Sequence, residues 1–292
     1  MKKMIRILVT GATGQQGSAV IRHLQRHKQF EIYALTRNVH SPKAQTIVQT
    51  TQQNIRLVEG NLNDADSLIP ILKGIDGVFS VQNYWEGGAA TEKQQARNLL
   101  SAALKNKVQL FVQSTMADGV QPPHQVEHFM SKFDIETELR QSGIPYVLAG
   151  TVTFTDNFLN PAMGGRWTLP FVSSILHARD AYPMLTVDDL GAFVAAIFLA
   201  PRKYSGQKFN LVSDILTLED IRHTYHSVTS RRLQRWRFPR FLTRRLNPEF
   251  VRQLEWQKAG NWQKLRPLHT LSGRHQQTSF KQYLQQHAPK GF

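Results

Sequence analysis

The stretch from Met4 to His27 constrains this chain more than any other. An apolar run (Ile5, Ile7, Leu8, Val9) stops at a turn bearing Gly11, Gly14 and Gly17, and a helical pattern follows through Ala19, Val20, Ile21 and Leu24. Strand, glycine turn and helix in that order make the geometry that holds a dinucleotide pyrophosphate. The first glycine permits the tight turn, the second lets backbone approach phosphate, and the third lets helix pack against strand. Backbone N–H groups at the helix start, with the positive end of its dipole, then face the anion. The spacing is GxxGxxG rather than GxGxxG, so its placement between strand and helix carries the argument. Thr13, Gln15 and Gln16, interleaved with the glycines, join them as candidate cofactor contacts.

About twenty residues beyond such a turn, an acidic side chain would take the ribose hydroxyls of NAD. Here the second strand, Glu31–Thr36, ends at Arg37 and Asn38, with Lys43 nearby and no carboxylate. A guanidinium pairs bidentately with a 2′-phosphate, so NADP(H) is expected over NAD(H). Further βα units follow. Ile55–Val58 leads to Asn61 and Leu62 and a helix from Asp64; Gly77–Val81 leads to Gln82, Asn83 and Tyr84 and a helix from about Ala90 to Lys105. Gln109–Gln113 is the next strand, with Ser114 at its end, then a helix over about Pro123–Gln141 and a sixth strand, Ile144–Leu148.

Strands alternating with helices imply an α/β fold, a Rossmann-type doubly wound parallel sheet, over residues 1–150. The alternation lapses from Thr151, so residues 151–292 are expected to form a smaller C-terminal α/β domain, with 181–200 packing back on the first. Gly164–Pro170 reads as loop, Val187–Ala200 as an apolar helix and Phe209–Val212 as a short strand; helices are expected from Thr217, over Glu249–Gln257 and over Ser279–His287. Ligands of such sheets sit beyond the strand C-termini. Gly11, Arg37, Asn61, Gln82, Asn83 and Ser114 all fall there.

The apolar and charged fractions, 41% and 20%, are those of a globular protein. Absence of Cys excludes disulfides, thiolate-bound zinc and thiol nucleophiles. The longest uncharged apolar stretch, Leu190–Ala200, has 11 residues, too few to span a bilayer. The apolar run at the N-terminus is too short for a signal peptide and is needed as a strand, so a cytoplasmic location is expected. Net charge is +15 and uneven: residues 222–292 hold 15 of the 36 Lys and Arg but 2 of the 21 Asp and Glu. There Trp236, Phe238 and Phe241 interleave with Arg235, Arg237 and Arg240. Aromatics that pack the C-terminal domain, with arginines facing water or an acidic partner, are preferred to direct nucleic-acid contact. His124-Gln-Val-Glu-His128 matches a zinc-peptidase spelling, but two histidines need a third ligand and nothing else resembles a peptidase, so no metal is expected.

The sequence resembles the NmrA-like family, an atypical branch of the short-chain dehydrogenase/reductases. The likeness rests on Gly11–Gly17, Val81-Gln-Asn-Tyr-Trp-Glu86, Phe129-Met-Ser-Lys132, Thr186–Gly191 and Tyr283–His287, and the Asn-Tyr-Trp-Glu block brings it near the NADPH-sensor subgroup. The resemblance implies an NADP(H)-binding Rossmann domain and a smaller C-terminal domain over the nicotinamide end. It also implies either a redox-sensing regulator acting through protein partners or a reductase of quinone-like electrophiles. Reductases of the wider superfamily use Tyr-xxx-Lys; this chain has His128-Phe-Met-Ser-Lys132. Lys132 is therefore the expected ribose-binding lysine, and His128, one turn before it on a helix, either a proton donor or a spacer in a site that only binds. Asn61 stands where many superfamily members carry Asp against the adenine, and an amide still hydrogen-bonds there. Oligomeric state is open, a homodimer included.

Overall fold

The computed structural model describes residues 4–50, 54–122, 125–159, 165–267, 270–271 and 275–288. The first part of the chain alternates β1 (Ile5–Val9), α1 (Gln15–Leu24), β2 (Phe30–Thr36), α2 (Pro42–Thr50), β3 (Ile55–Glu59), α3 (Ala65–Ile71), β4 (Gly77–Ser80), α4 (Tyr84–Lys105), β5 (Leu110–Met116), α5 (Glu127–Gln141) and β6 (Tyr146–Thr151). There follow β7 (Thr153–Phe154), α6 (Thr168–Val172), β8 (Ala181–Leu185), α7 (Val187–Leu199), α8 (Pro201–Tyr204), β9 (Gln207–Leu211), β10 (Asp214–Thr217), α9 (Leu218–Thr229), α10 (Arg240–Leu246), α11 (Pro248–Trp256) and α12 (Phe280–His287).

A parallel sheet of seven strands runs in the order β3-β2-β1-β4-β5-β6-β9. The order reverses beside β1: β2 and β4 flank it, Val9 pairing with both Ala34 and Phe79. Strands covered on both faces read as apolar runs, and β4 is buried at every residue. Their side chains build one core with Leu68, Leu72, Leu99 and Leu139 from the helices. A second, three-stranded sheet has the order β10-β8-β7.

The chain divides into two compact units: residues 1–116, 128–150 and 190–209 form one, and 117–127, 151–189 and 210–292 the other. The second has its own core around Tyr182, Met184, Leu218, Leu254, Phe280 and Leu284. Its helices start on sequence-encoded caps. Thr217 and Asp220 close a capping box on α9, and Ser279 and Gln282 do so on α12, each cap worth about 1 kcal/mol.

Several boundaries differ from expectation. The helix expected from about Ala90 begins at Tyr84, because the Asn83 side chain accepts from Trp85 N and caps it; the helix is then broken at Gly88. Asn83–Trp85 is thus a helix start and not a loop. Ser114 lies inside β5 rather than past its end. The helix expected from about Pro123 begins at Glu127, and Pro123 and His124 lie outside the described residues. The Gly164–Pro170 loop is, from Gly165, a 3-10 turn running into α6.

Candidate functional site

The glycine turn closes on itself: Gly14 N donates to Gly11 O at 2.9 Å. Gly11 has φ +58°, and a Cβ there would meet Val81 Cγ1 at 2.8 Å. A Cβ on Gly17 would stand 2.2 Å from Gly11 O, so α1 lies against the turn with no room for any side chain. Gly14 is different. It has φ −93°, and its added Cβ would find only Gly11 O, at 3.2 Å. No side chain caps α1, and no acidic residue occupies its first turn. A backbone surface bare of side chains, beside an uncapped helix start, suits a pyrophosphate. Thr10 braces the turn from below, its hydroxyl accepting from Val81 N at 2.8 Å and donating to Val81 O at 3.1 Å. Thr13 is exposed, Gln15 half-buried.

Beside the turn, polar side chains from the end of β4, from β5 and from the start of α1 join up. Ser114 Oγ donates to Gln16 Oε1 at 2.6 Å. Gln113 Nε2 donates to Gln82 Oε1 at 3.0 Å, and Gln82 Nε2 donates to Ser80 Oγ at 2.8 Å. This fixes Gln82 rather than leaving it mobile. Asn61 is exposed, its Oδ1 turned back to Asn63 N at 3.0 Å. Leu62 packs on the core, and its carbonyl accepts from Asn98 Nδ2 at 2.8 Å.

Arg37, just past β2, pairs with Glu86 in the first turn of α4: Nη1 to Oε2 is 3.2 Å, and both side chains are largely exposed. The expected anion-binding guanidinium therefore already faces a carboxylate that sequence spacing gave no reason to place there.

His128 and Lys132 lie one turn apart on α5. His128 is buried among aromatic rings, with ring-centre distances of 5.5 Å to Tyr84, 5.4 Å to Trp85 and 4.5 Å to Phe129. Lys132 Nζ sits 2.5 Å from Glu92 Oε1, and the Glu92 side chain has no exposure at all. Ser131 Oγ donates to the other Glu92 oxygen. A buried carboxylate holding a partly exposed lysine fixes where the ammonium points. Glu92 escaped the sequence reading because its partner is 40 residues away and nothing local marks it.

Among the described residues no cluster of three or more His, Cys, Asp or Glu has metal-holding geometry, and no helix is long and apolar enough to cross a membrane. In the second unit, Trp236 and Phe238 pack on each other at 4.8 Å and on Trp167 at 5.6 and 6.2 Å, while Phe241 is exposed. Arg231, Arg232, Arg235, Arg237, Arg240 and Arg245 are all exposed. Burial, with Arg237 and Arg235 close by, pushes the Arg222 guanidinium below its ordinary value.

A Rossmann-type sheet with a phosphate-shaped glycine turn defines a broad class. Within it, the NmrA-like family model matches residues 2–259, and the chain belongs to that family. A curated relative, the NmrA-like family domain-containing oxidoreductase himF of Aspergillus japonicus, is 27% identical over 248 residues, covering 77% of this chain and 73% of that protein. Among solved structures, the NADPH-dependent quinone oxidoreductase QOR2 of Escherichia coli, complexed with NADPH, superposes with a TM-score of 0.75 at 21% identity over 96% of this chain and 99% of that one. The negative transcriptional regulator NmrA, in complex with NADP, does so at 0.67 and 20% identity over 96% and 90%. At these identities the structural likenesses establish the fold.

Proposed function

We propose that this protein binds NADP(H) across the carboxyl ends of β1, β2, β4 and β5, in preference to NAD(H), and that its main output is regulatory, through a protein partner. The observation that carries the dinucleotide reading is the turn at Gly14, where bare backbone meets an uncapped helix start. Gly11, Thr13, Gly14, Gln15, Gln16 and Gly17 would hold the pyrophosphate, Arg37 the 2′-phosphate, Asn61 and Leu62 the adenine side. Gln82, Asn83, Tyr84, Ser114 and Lys132 would line the nicotinamide half. When bound, the cofactor supplies a hydride-transfer couple.

The regulatory output is favoured by the state of the proton-handling groups. His128 is buried beneath Tyr84 and Trp85, and Lys132 is engaged by Glu92. A site arranged in this way binds and reports before it turns over. The signal requires that the two redox forms, or the bound and free states, differ in affinity for one conformation.

A second reading has its own observation. The ring centres of Tyr84 and His128 lie 5.5 Å apart, so α4 supplies a phenol beside the helix turn whose Tyr-xxx-Lys position lacks one. That arrangement fits an NADPH-dependent reductase of a quinone-like or other small electrophile, as the names of the relatives suggest. Calorimetry with NADP+ and NADPH tests binding, and nicotinamide absorbance across a panel of quinones tests turnover. No heat with either form refutes both readings. Turnover present in the unmodified protein and lost in Lys132→Ala or His128→Gln favours the reductase. Equal affinity for both forms without any effect on partner capture removes the redox sensor.

A further inference from the structure

We infer that Glu86 is the residue through which the site tells a 2′-phosphate from a 2′-hydroxyl, and through which that distinction reaches the aromatic cover of His128. The inference rests on the dinucleotide reading above and deepens it.

The starting observation is the 3.2 Å pair between Arg37 and Glu86. With Nη1 turned to a carboxylate, Arg37 has fewer of its donors to offer a phosphate, and Glu86 itself repels a dianion brought to the same place. With Arg37 70% and Glu86 51% exposed, water and salt screen the pair. Exposed pairs of this kind are worth little, so a 2′-phosphate displaces Glu86 readily. A 2′-hydroxyl brings no charge and leaves the pair standing.

What Glu86 does when released follows from where it sits. It lies between Trp85 and Gly87 in the four residues that open α4, and Gly88, with φ +73° and ψ −176°, separates them from the rest of the helix. That backbone region is essentially confined to glycine. A Cβ at Gly88 would meet nothing within 4 Å, so no packing demands the break there. The segment is a short arm, capped at one end by Asn83, jointed at the other, and tied along its length to Arg37 by Glu86. Tyr84 and Trp85, on the same arm, form the aromatic cover of His128. Exchange of Glu86 for a phosphate at Arg37 removes that tie and lets the arm turn about Gly88, carrying Trp85 with it. NADP(H) and NAD(H) therefore leave the surface around Trp85, 54% exposed in this structure, in different states. That is a usable signal for a protein that reads which dinucleotide is bound.

The test uses the full chain, its Glu86→Gln variant and Trp85→Phe as a spectroscopic blank. Calorimetry should show NADP+ binding about three- to tenfold tighter in Glu86→Gln, the size of an exposed pair plus the lost repulsion, with NAD+ affinity unchanged. Trp85 emission, isolated by subtracting the Trp85→Phe signal, should change with NADP+ and much less with NAD+, although both carry the same chromophores. In Glu86→Gln without nucleotide it should already have moved toward the NADP+ value. If Glu86→Gln shifts both affinities alike or neither, or if Trp85 responds equally to the two nucleotides, the inference is wrong while the dinucleotide site stands. If the unmodified protein gives no heat with either nucleotide, the site itself is wrong and the inference falls with it.

Discussion

Alanine at Gly14 and at Gly17 should separate the two jobs proposed for the glycine turn, packing and phosphate binding, which fall on different atoms. A Cβ on Gly17 would lie 2.2 Å from Gly11 O, 2.5 Å from Gly11 C and 2.8 Å from Ala12 N. Ordinary contact begins at about 3.4 Å, so the deficit is about 1.2 Å against backbone that cannot swing aside. Overpacking of that kind costs about 1–3 kcal/mol, and it displaces Gly11, hence the whole turn. At Gly14 the deficit is about 0.2 Å against a single carbonyl oxygen, and φ −93° suits any residue. Loss of flexibility in the unfolded chain offsets the strain by about 0.4–1 kcal/mol. Gly14→Ala should therefore unfold in urea within about 1 kcal/mol of the unmodified protein, and Gly17→Ala about 2 kcal/mol or more below it. Binding should follow another order. In the proposed site the Gly14 methyl would stand where phosphate approaches backbone N–H groups, and a lost charge-assisted bond is worth about 1.5–3 kcal/mol, or at least a tenfold weaker Kd for NADP+. A folded Gly14→Ala protein with unchanged affinity would show that phosphate does not rest on that turn. A Gly17→Ala protein as stable as the original would show that the contact between α1 and the turn is not what demands glycine.

The Glu92–Lys132 pair should behave as a buried ion pair. Lys132→Met leaves a fully buried carboxylate with only the Ser131 hydroxyl, so urea unfolding should register a loss of about 3 kcal/mol, and adding Glu92→Gln should recover most of it. Asp189 is fully buried, accepting from Ser213 Oγ at 2.5 Å and from Thr278 N and Oγ1 at 3.0 and 3.1 Å. Asp189→Ala should lose about 2–3 kcal/mol and open α12 first, visible as early proteolysis after residue 278; uniform cleavage would refute the tie. Burial pushes the Tyr182 phenol up to about 12 from 10.0. Unfolded chains release that proton near pH 10 while the folded protein keeps it, so stability falls as pH rises between about 10 and 12, by up to about 3 kcal/mol. Tyr182→Phe should flatten that slope in alkaline urea titrations, and an unchanged slope would rule the phenol out.

What could be read in the sequence was what is encoded locally. The turn after β1 declares itself because strand, glycines and helix are contiguous, and the family likeness was readable from short contiguous blocks such as Gly11–Gly17 and Val81–Glu86. Thr217 and Ser279 marked helix starts because capping is a property of four residues. Other features escaped because the deciding partner is distant. Arg37 was legible but Glu86 was not: they are 49 residues apart. Glu92 looks like any charge on a long helix until α5 lays Lys132 over it. Glycine and proline also misled. Gly87-Gly88 hid the first turn of α4, and Gly164, Gly165 and Pro170 suggested a loop where α6 forms. Pro170 is tolerated because it sits in the first turn, where no N–H is needed, and Leu169 and Val172 gain burial. Pro183 likewise concealed β8, which nonetheless pairs through it with Ile215.

The regulatory and reductase readings place different demands on one short segment, and that makes them separable. Three of the candidate proton donors are already engaged: Ser114 donates to Gln16, Lys132 to Glu92, and His128 lies beneath Tyr84 and Trp85. Turnover would therefore require the Tyr84 arm to move and its phenol to act, whereas signalling requires only that the arm move. Tyr84→Phe keeps the ring that packs on His128 and deletes the hydroxyl alone. In a reductase this variant binds NADPH as before and loses turnover by about 10²-fold or more, the usual worth of a positioned acid. In a regulator it binds as before and its partner capture is untouched. Loss of NADPH binding in Tyr84→Phe would instead make the hydroxyl one of the cofactor contacts and would refute its role as a proton donor that acts only in turnover.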